Sequence, residues 1–422
     1  MEKSGKFRLT SLERNWILYD VGNSAFVLMV ATLIPIFFNA LAAAGGLSSV
    51  EYLAYWGYAS SAVTIITAVL SPILGTVADT KGFKKPIFIL CVFVGIVGCC
   101  AMGAVSAWLP FLVIFVIAKV GFSGSLVFYD SMLSDVTTPE RMDEVSSRGY
   151  AWGYIGSCIP FVVCLGLVLG AGSIGISQMT ALNLALLLTA AWWLLTTLPL
   201  LKSYKQLYYV EVEKHAVRQS FARIGHTLRH LPEDKQVFWF LLAFFCYIDG
   251  VYTIIDMATA YGTALGLDTT GLLLALLLTQ VVAFPSALVF GRLSARYPST
   301  TLIPICVAAY AGIAVFAFFL ATQWQFWVLA VIVGMFQGGV QALSRSHFAK
   351  IIPPEKSGEY FGLFDICGKG ASFLGTMIVS VGTQLTGSAN VGVGSLLALF
   401  IIGFVLFRLS CRAGVITDKA SG

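Results

Sequence analysis

Long apolar stretches alternate with short polar ones along the whole chain. Apolar runs fall near 16–41, 52–78, 86–108, 110–133, 148–170, 179–201, 236–262, 272–293, 302–322, 324–343, 360–383 and 392–409. A helix needs about 20 apolar residues to cross a bilayer core about 30 Å thick, so the pattern predicts about twelve transmembrane helices. Lipid cannot satisfy exposed backbone groups, and the runs lack the alternation of barrel strands, so helices are the expected element.

The polar punctuation predicts an orientation. Apart from Lys119 and Lys369, the Lys and Arg residues fall at the two termini or around the loops after the second, fourth, sixth, eighth and tenth runs. By the positive-inside rule, both termini and the longest polar interruption, 202–235, face the cytoplasm. The opening "MEKSGKFRLTSLERNW" imitates the basic start of a signal peptide. The apolar run behind it is too long for that and has no clear cleavage site, so it reads as a retained first helix.

Composition narrows the class. The chain has 422 residues, 58% hydrophobic and 11% charged, which excludes a soluble globular protein in favour of an all-α membrane protein. A net charge of +5 then reports topology and implies no nucleic-acid partner. The nine Cys lie scattered among the apolar runs without a CxxC or a His/Cys cluster. They read as small apolar fillers, and neither metal nor cofactor is expected.

Interruption 202–235 sits near the middle of the chain and predicts an N-terminal half, 1–201, a cytoplasmic linker, 202–235, and a C-terminal half, 236–422. Repetition between the halves supports the division. "PERMDEVSSRGYAWG" from Pro139 echoes "PEKSGEYFGLFDICG" from Pro354, and the same spacing separates Gly153 from Gly368. "ILGTVAD" ending the second run matches "LVFGRLSA" ending the eighth, and "LYDVG" near the start matches "YIDG" in the second half.

Two pseudo-symmetric six-helix halves joined by a cytoplasmic linker resemble the major facilitator fold. The stretch "SPILGTVADTKGFKKP" resembles that superfamily's signature loop between helices 2 and 3, with Gly75, Asp79, Gly82, Lys84 and Lys85 in the matching places. Glycines there permit close helix contact and a tight turn, and Asp79 can meet nearby cations or a helix N-terminus. The resemblance implies a loop that latches the cytoplasmic side when the protein faces outward. A plainer reading leaves Lys81, Lys84 and Lys85 as topology-setting charges. Ala295 stands where the acid would be in the second half, which predicts a weaker latch there.

Longer strings narrow the resemblance. "WILYDVGNSAF", "SSRGYAWGYIG", "AFPSALVFGRLSARY", "GGVQALSRSHFAKIIP" and "EYFGLFDICGKGASFLGT" are similar to the vacuole-effluxer-like permeases, the autophagy-related amino-acid effluxer branch of the superfamily. The resemblance implies transport of a small solute, with amino acids as the analogy.

Charges inside a bilayer are costly and mark pathways. Asp20, Asn23 and Ser24 share a face of the first helix, with Asp20 about one turn from its end, either a gate charge or part of the pathway. Asp249, Thr253 and Asp256 share a face of the seventh helix beside Tyr252, and that face binds a cationic group, carries a proton or bonds to a neighbouring helix. In the eleventh helix Asp365 and Lys369 are spaced for an ion pair, structural or opening on substrate arrival. Lys119 in the fourth helix can pair with an acid of the seventh or bind a substrate carboxylate. Gln337 and Gln341 lie on one stripe of the tenth helix, and Arg345 on the same stripe is expected to snorkel to the cytoplasmic interface. Asp130, Asp135 and Arg148 are expected around the loop after the fourth helix, with the two acids near the lysines that follow the second, as cytoplasmic gate charges.

No GxxxxGK[ST], HExxH or GxSxG is present, which argues against a primary pump and against an enzyme. The expected protein is a monomeric secondary transporter, multi-pass in a bacterial plasma (inner) membrane. Its partners are a small-molecule substrate, protons and the lipid bilayer. Acids and bases within the helices suit an amino acid or similar zwitterion. The alternative is an exporter of an amphipathic drug-like or lipid-like compound, favoured by 13% aromatic residues.

Overall fold

The computed structural model describes residues 7–211, 225, 227 and 229–421, with side chains across that range except at 49, 50, 53, 259, 260, 269, 270, 273, 369–373 and 416–421. Its helices before the linker are α1 Ser11–Ala31, α2 Leu33–Ala44, α3 Ser49–Ala78, α4 Lys84–Met102, α5 Trp108–Ser131, α6 Leu133–Val136, α7 Met142–Leu169 and α8 Gln178–Ser203. After the linker come α9 Lys235–Ala264, α10 Thr269–Leu293, α11 Ser299–Phe318, α12 Gln323–Ile351, α13 Ser357–Thr386, α14 Ala389–Gly394 and α15 Leu397–Ser421. Eleven segments among the described residues are long and apolar enough to cross a membrane, the first of them the kinked pair α1–α2. The 30-residue α13 packs among them.

Local chemistry explains where these helices start and bend. Thr10 and Glu13 form a capping box at the start of α1, as do Ser48 and Glu51 before α3 and Thr322 and Gln325 before α12. Each satisfies backbone N–H groups that a helix start leaves open. Pro35 cannot donate to the carbonyl four residues back, and the first span breaks at Thr32. Large apolar side chains such as Ile65, Phe93, Val113, Leu195, Ile305 and Val405 are exposed on the outside of the bundle, where lipid would meet them.

Several runs differ from expectation: the third ends at Met102, the twelfth is divided between α14 and α15, and two others bear on the site. The fifth begins at Met142 and the tenth continues to Ile351, because no helix-stopping residue intervenes. Arg148 and Arg345 are consequently inside helices. Helices before the linker pack mainly on one another, with Phe26, Phe122 and Trp193 at their centre. Those after it gather around Phe240, Phe244, Phe348 and Phe364. The two groups meet along α3 with α13, α7 with α10 and α12, and α5 with α13. Residues 204–211 continue from α8 across the loop 79–83, where Thr80 and Val210 form an isolated bridge.

Candidate functional site

At the linker end of the bundle, α3 and α13 touch backbone to backbone. A Cβ on Gly75 would collide with the carbonyl of Gly358. This approach brings both oxygens of Asp79 to the first turn of α13, where the N–H groups of Gly358 and Glu359 donate at 2.7 and 2.8 Å. Those N–H groups have no partner within their own helix, and the helix dipole favours an anion there. Lys84 Nζ lies 4.0 Å from Asp79 and 3.3 Å from Asp135, and donates to Ser357 Oγ at 2.9 Å. Burial pushes the Asp79 carboxyl up to about 7, against the pull of Lys84 and the two N–H groups.

Asp135 joins this loop to the linker. Its Oδ2 accepts from the Tyr204 hydroxyl at 2.5 Å as well as from Lys84, and its Oδ1 accepts the N–H groups of Leu207 and Tyr208 at 3.0 and 2.9 Å. Gly82, at φ 79°, makes the turn, and its N–H donates to Gln206 at 3.0 Å. Lys85 donates to the Tyr204 carbonyl at 3.5 Å. A second crossing joins α7 to α12, where Lys350 Nζ lies 2.7 Å from both oxygens of Asp143 and Ser346 donates to the same carboxyl at 2.6 Å.

Behind these contacts lies Arg345, which corrects two expectations. It does not snorkel: it is 2% exposed and reaches from α12 into the first group of helices. Its Nη1 is 3.0 Å from Asp130 and 3.7 Å from Asp20, and its Nε and Nη2 donate to the hydroxyl and carbonyl of Ser146 at 2.9 and 3.0 Å. The rings of Tyr150, Trp16 and Tyr129 lie 4.3, 4.7 and 5.4 Å from its guanidinium carbon. Asp130 therefore meets Arg345 and not the lysines after α3. A buried cation is tolerable here because two acids, a serine and three ring faces replace its water. Arg148 also departs from expectation: it pairs at 2.7 Å with Glu144 one turn back on α7 and lies 4.7 Å from the Phe7 ring.

Away from the linker end, further polar side chains lie where the two groups meet. Asp256 is exposed although it lies within α9, and half-buried Lys119 on α5 is its charged neighbour from the other group. The Lys119 ammonium sits 4.7 and 6.0 Å from the rings of Phe122 and Phe26. Gln341 accepts from Tyr154 across the groups at 2.9 Å, while the Gln337 carbonyl oxygen is buried without a hydrogen-bond partner. Tyr252 is half-buried nearby on α9. Asp365 accepts from Ser71 across the groups at 2.8 Å; Lys369 lies outside the described side chains. Asn23 donates to the Tyr19 carbonyl of its own helix at 2.9 Å. Asp249 is fully buried between α9 and α13.

The structure thus gathers Asp79, Lys84 and Asp135 in one network, Asp20 and Asp130 around Arg345, and Lys119 with Asp256 across the groups. Sequence reasoning missed Arg345 as a partner, the Asp143–Lys350 pair, and the Glu13–Arg141 pair at 2.7 Å that holds the start of α1 to the start of α7. "TSLE" carried the signal for Glu13, and the uninterrupted helical stretch up to Pro353 carried it for Arg345.

Comparison with known proteins follows this geometry. The profile of the family described as vacuole effluxer Atg22 like matches residues 11–413. The Bacillus subtilis (strain 168) protein named uncharacterized MFS-type transporter YxiO is 43% identical over 404 residues, covering 94% of each chain. Autophagy-related protein 22 of Saccharomyces cerevisiae (strain ATCC 204508 / S288c) is 29% identical over 288 residues, 59% of this chain and 54% of that one. The chain matches about half the length of such fungal relatives. Among solved structures, the human organic anion transporter MFSD10 superposes with a TM-score of 0.71 at 14% identity, covering 94% of this chain and 99% of that one. FucP, a major facilitator transporter in the outward conformation, gives 0.71 at 16% identity over 95% and 97%. With a profile spanning nearly the whole chain, a closely similar transporter-named relative and this fold, the protein belongs to the vacuole effluxer Atg22-like family of major facilitator transporters and is not an enzyme.

Proposed function

We propose that the protein is a proton-coupled carrier of an amino acid or similar zwitterion, working as a monomer in a bacterial plasma membrane with both termini cytoplasmic. The carrying observation is the pair Lys119 and Asp256, which belong to opposite helix groups, bear opposite charges that act on each other, and are neither of them buried. Lys119 suits the solute's carboxylate and Asp256 its ammonium, so a zwitterion bridges the groups where a singly charged solute would leave one end unmatched.

With the linker end sealed, this arrangement is the outward-facing state of an alternating-access cycle. Drawing the two groups together at this pair favours parting of the linker end, where the Arg345, Asp79 and Asp143 contacts separate as units. Shifting such an equilibrium from 1:99 to 99:1 takes about 5.5 kcal/mol of differential binding. Contacts formed away from the linker end supply what solute binding alone does not. The family's description as vacuole effluxers supports a small-solute carrier.

Thermal unfolding of the purified protein in detergent against separate pools of amino acids, sugars, organic acids, nucleosides, lysolipids and cationic drugs tests the substrate class. A ligand at a hundredfold excess over its Kd stabilises the folded state by about 2.7 kcal/mol. The amino-acid pool should raise the midpoint, and Lys119→Gln and Asp256→Asn should each abolish the rise. Stabilisation by lysolipids or drugs alone would replace this reading with an amphipath exporter.

A further inference from the structure

We infer that Asp249 is a proton-binding carboxyl, neutral in this conformation and distinct from both the Arg345 network and the Lys119–Asp256 pair. The inference rests on the proton coupling proposed above and assigns the proton a place. Asp249 is 0% exposed, as is Thr253 one turn further along α9. Its two oxygens have opposite surroundings. Oδ1 accepts from the Gly375 N–H of α13 at 2.9 Å and from the Thr253 hydroxyl at 3.4 Å, whereas Oδ2 is buried without a hydrogen-bond partner among the described residues.

That asymmetry suits a neutral carboxyl better than an ionised one: the carbonyl oxygen accepts two bonds, and the oxygen that carries the proton is left as an unpaired donor. An unpaired buried hydroxyl costs about 1–3 kcal/mol, whereas an ionised carboxylate in such a place carries a far larger desolvation penalty and ordinarily takes up a proton instead. No described cation lies within ion-pair distance. Cys246 is the titratable neighbour on α9 itself. From the elements packed around this stretch, α13 presents Gly375, α15 presents the Phe400 ring against Gly250, and α12 presents Ser344 to Tyr247; Lys369 on α13 lies outside the described side chains. Beyond Thr253 is a cavity of about 50 Å³ lined by Ile254, Met257, Ala258, Val379 and Val393, and an apolar cavity of that kind stays dry.

Placement gives the proton a lever. Gly375 approaches so closely that a Cβ there would stand 2.8 Å from Asp249 Oδ1, so α13 covers that side of the carboxyl. The same α13 holds Asp79 at its first turn and Asp365 against Ser71. Protonated Asp249 keeps α13 packed on α9 while its start seals the linker end. Release of the proton belongs to the opposite conformation.

Infrared difference spectroscopy of the full-length protein in lipid at neutral pH, on an Asp79→Asn background so that the proton on Asp79 does not contribute, tests this without any solute. A protonated-carboxyl C=O band should be present, shift in D₂O, vanish in Asp249→Asn and survive in Asp256→Asn. Thr253→Val, which removes one donor to Oδ1, should keep the band and move its frequency, and serves if the Asn variant does not fold. Absence of the band in the Asp79→Asn background, its persistence when Asp249→Asn is added, or an unmoved band with Thr253→Val would overturn the assignment. In proteoliposomes Asp249→Asn should lower proton-driven accumulation about 5–150-fold, the span of ordinary coupling energies, and undiminished accumulation counts against it. If no amino acid stabilises the protein yet the Asp249 band is present, the substrate reading fails and the proton site stands.

Discussion

At Arg345, two acids, a serine and three aromatic rings surround one guanidinium that belongs to the other group of helices. Arg345→Met leaves buried Asp20 and half-buried Asp130 without their cation, a loss of about 3–5 kcal/mol to the sealed state. Arg345→Lys should fall between the two, because an ammonium cannot meet Ser146 and Asp130 together as the fork does. Distances between spin labels across the linker end report the sealed population, and unchanged distances in both variants would remove Arg345 as the lock. Asp20, Lys119 and Asp249 are legible in the sequence as charges set in apolar runs. Arg345 was placed on the tenth helix but read as snorkelling, because the run loses hydropathy after residue 343 while the helix does not end. Ile352, held extended before Pro353, is what ends it.

Segment 204–211 acts as an element without being a helix. It lies across the loop after α3, with Asp135 as its anchor and Val210 N–H donating to the Asp79 carbonyl at 2.8 Å. Asp135→Ala removes the acceptor of Tyr204 and of the Leu207 and Tyr208 N–H groups together. Hydrogen bonds to a charged group are worth about 1.5–3 kcal/mol each, so amide exchange at Leu207 and Tyr208 should rise by about tenfold or more. Equal exchange in variant and parent would mean that the segment is held elsewhere. Most elements were readable from hydropathy, while the break at Thr32 fell inside a run that reads as one helix. The docked segment was not readable, since a polar stretch carries no periodicity that names its partner.

For the whole molecule, the balance between the sealed state and its opposite should depend on pH. In the sealed state burial holds a proton on Asp79 up to about 7, whereas a carboxyl freed into water titrates near the ordinary value of about 3.9. The sealed state therefore binds more protons between those values. Its advantage is complete below about 4 and is lost as pH rises through about 7. Spin-label distances followed across that range should move from sealed toward open at the linker end, with a smaller change in Asp79→Asn. A slope of opposite sign, or one untouched by the substitution, would contradict the assignment.

What the chain determined by itself was local or periodic: apolar runs of membrane length, the repeat between its halves, the Gly75–Lys85 pattern, and the acids and bases set within helices. These follow from composition and spacing, which hold whatever the helices pack against. Only the tertiary structure decided partners: Arg345 with Asp130 and Asp20, Asp79 with the first turn of α13, Lys119 opposite Asp256, and Asp249 with one oxygen left alone among the described residues. A residue's place in a helix sets the face it occupies. How helices distant in sequence cross sets which faces meet, and in a low-dielectric interior that meeting decides whether a charge is paired, exposed or neutralised.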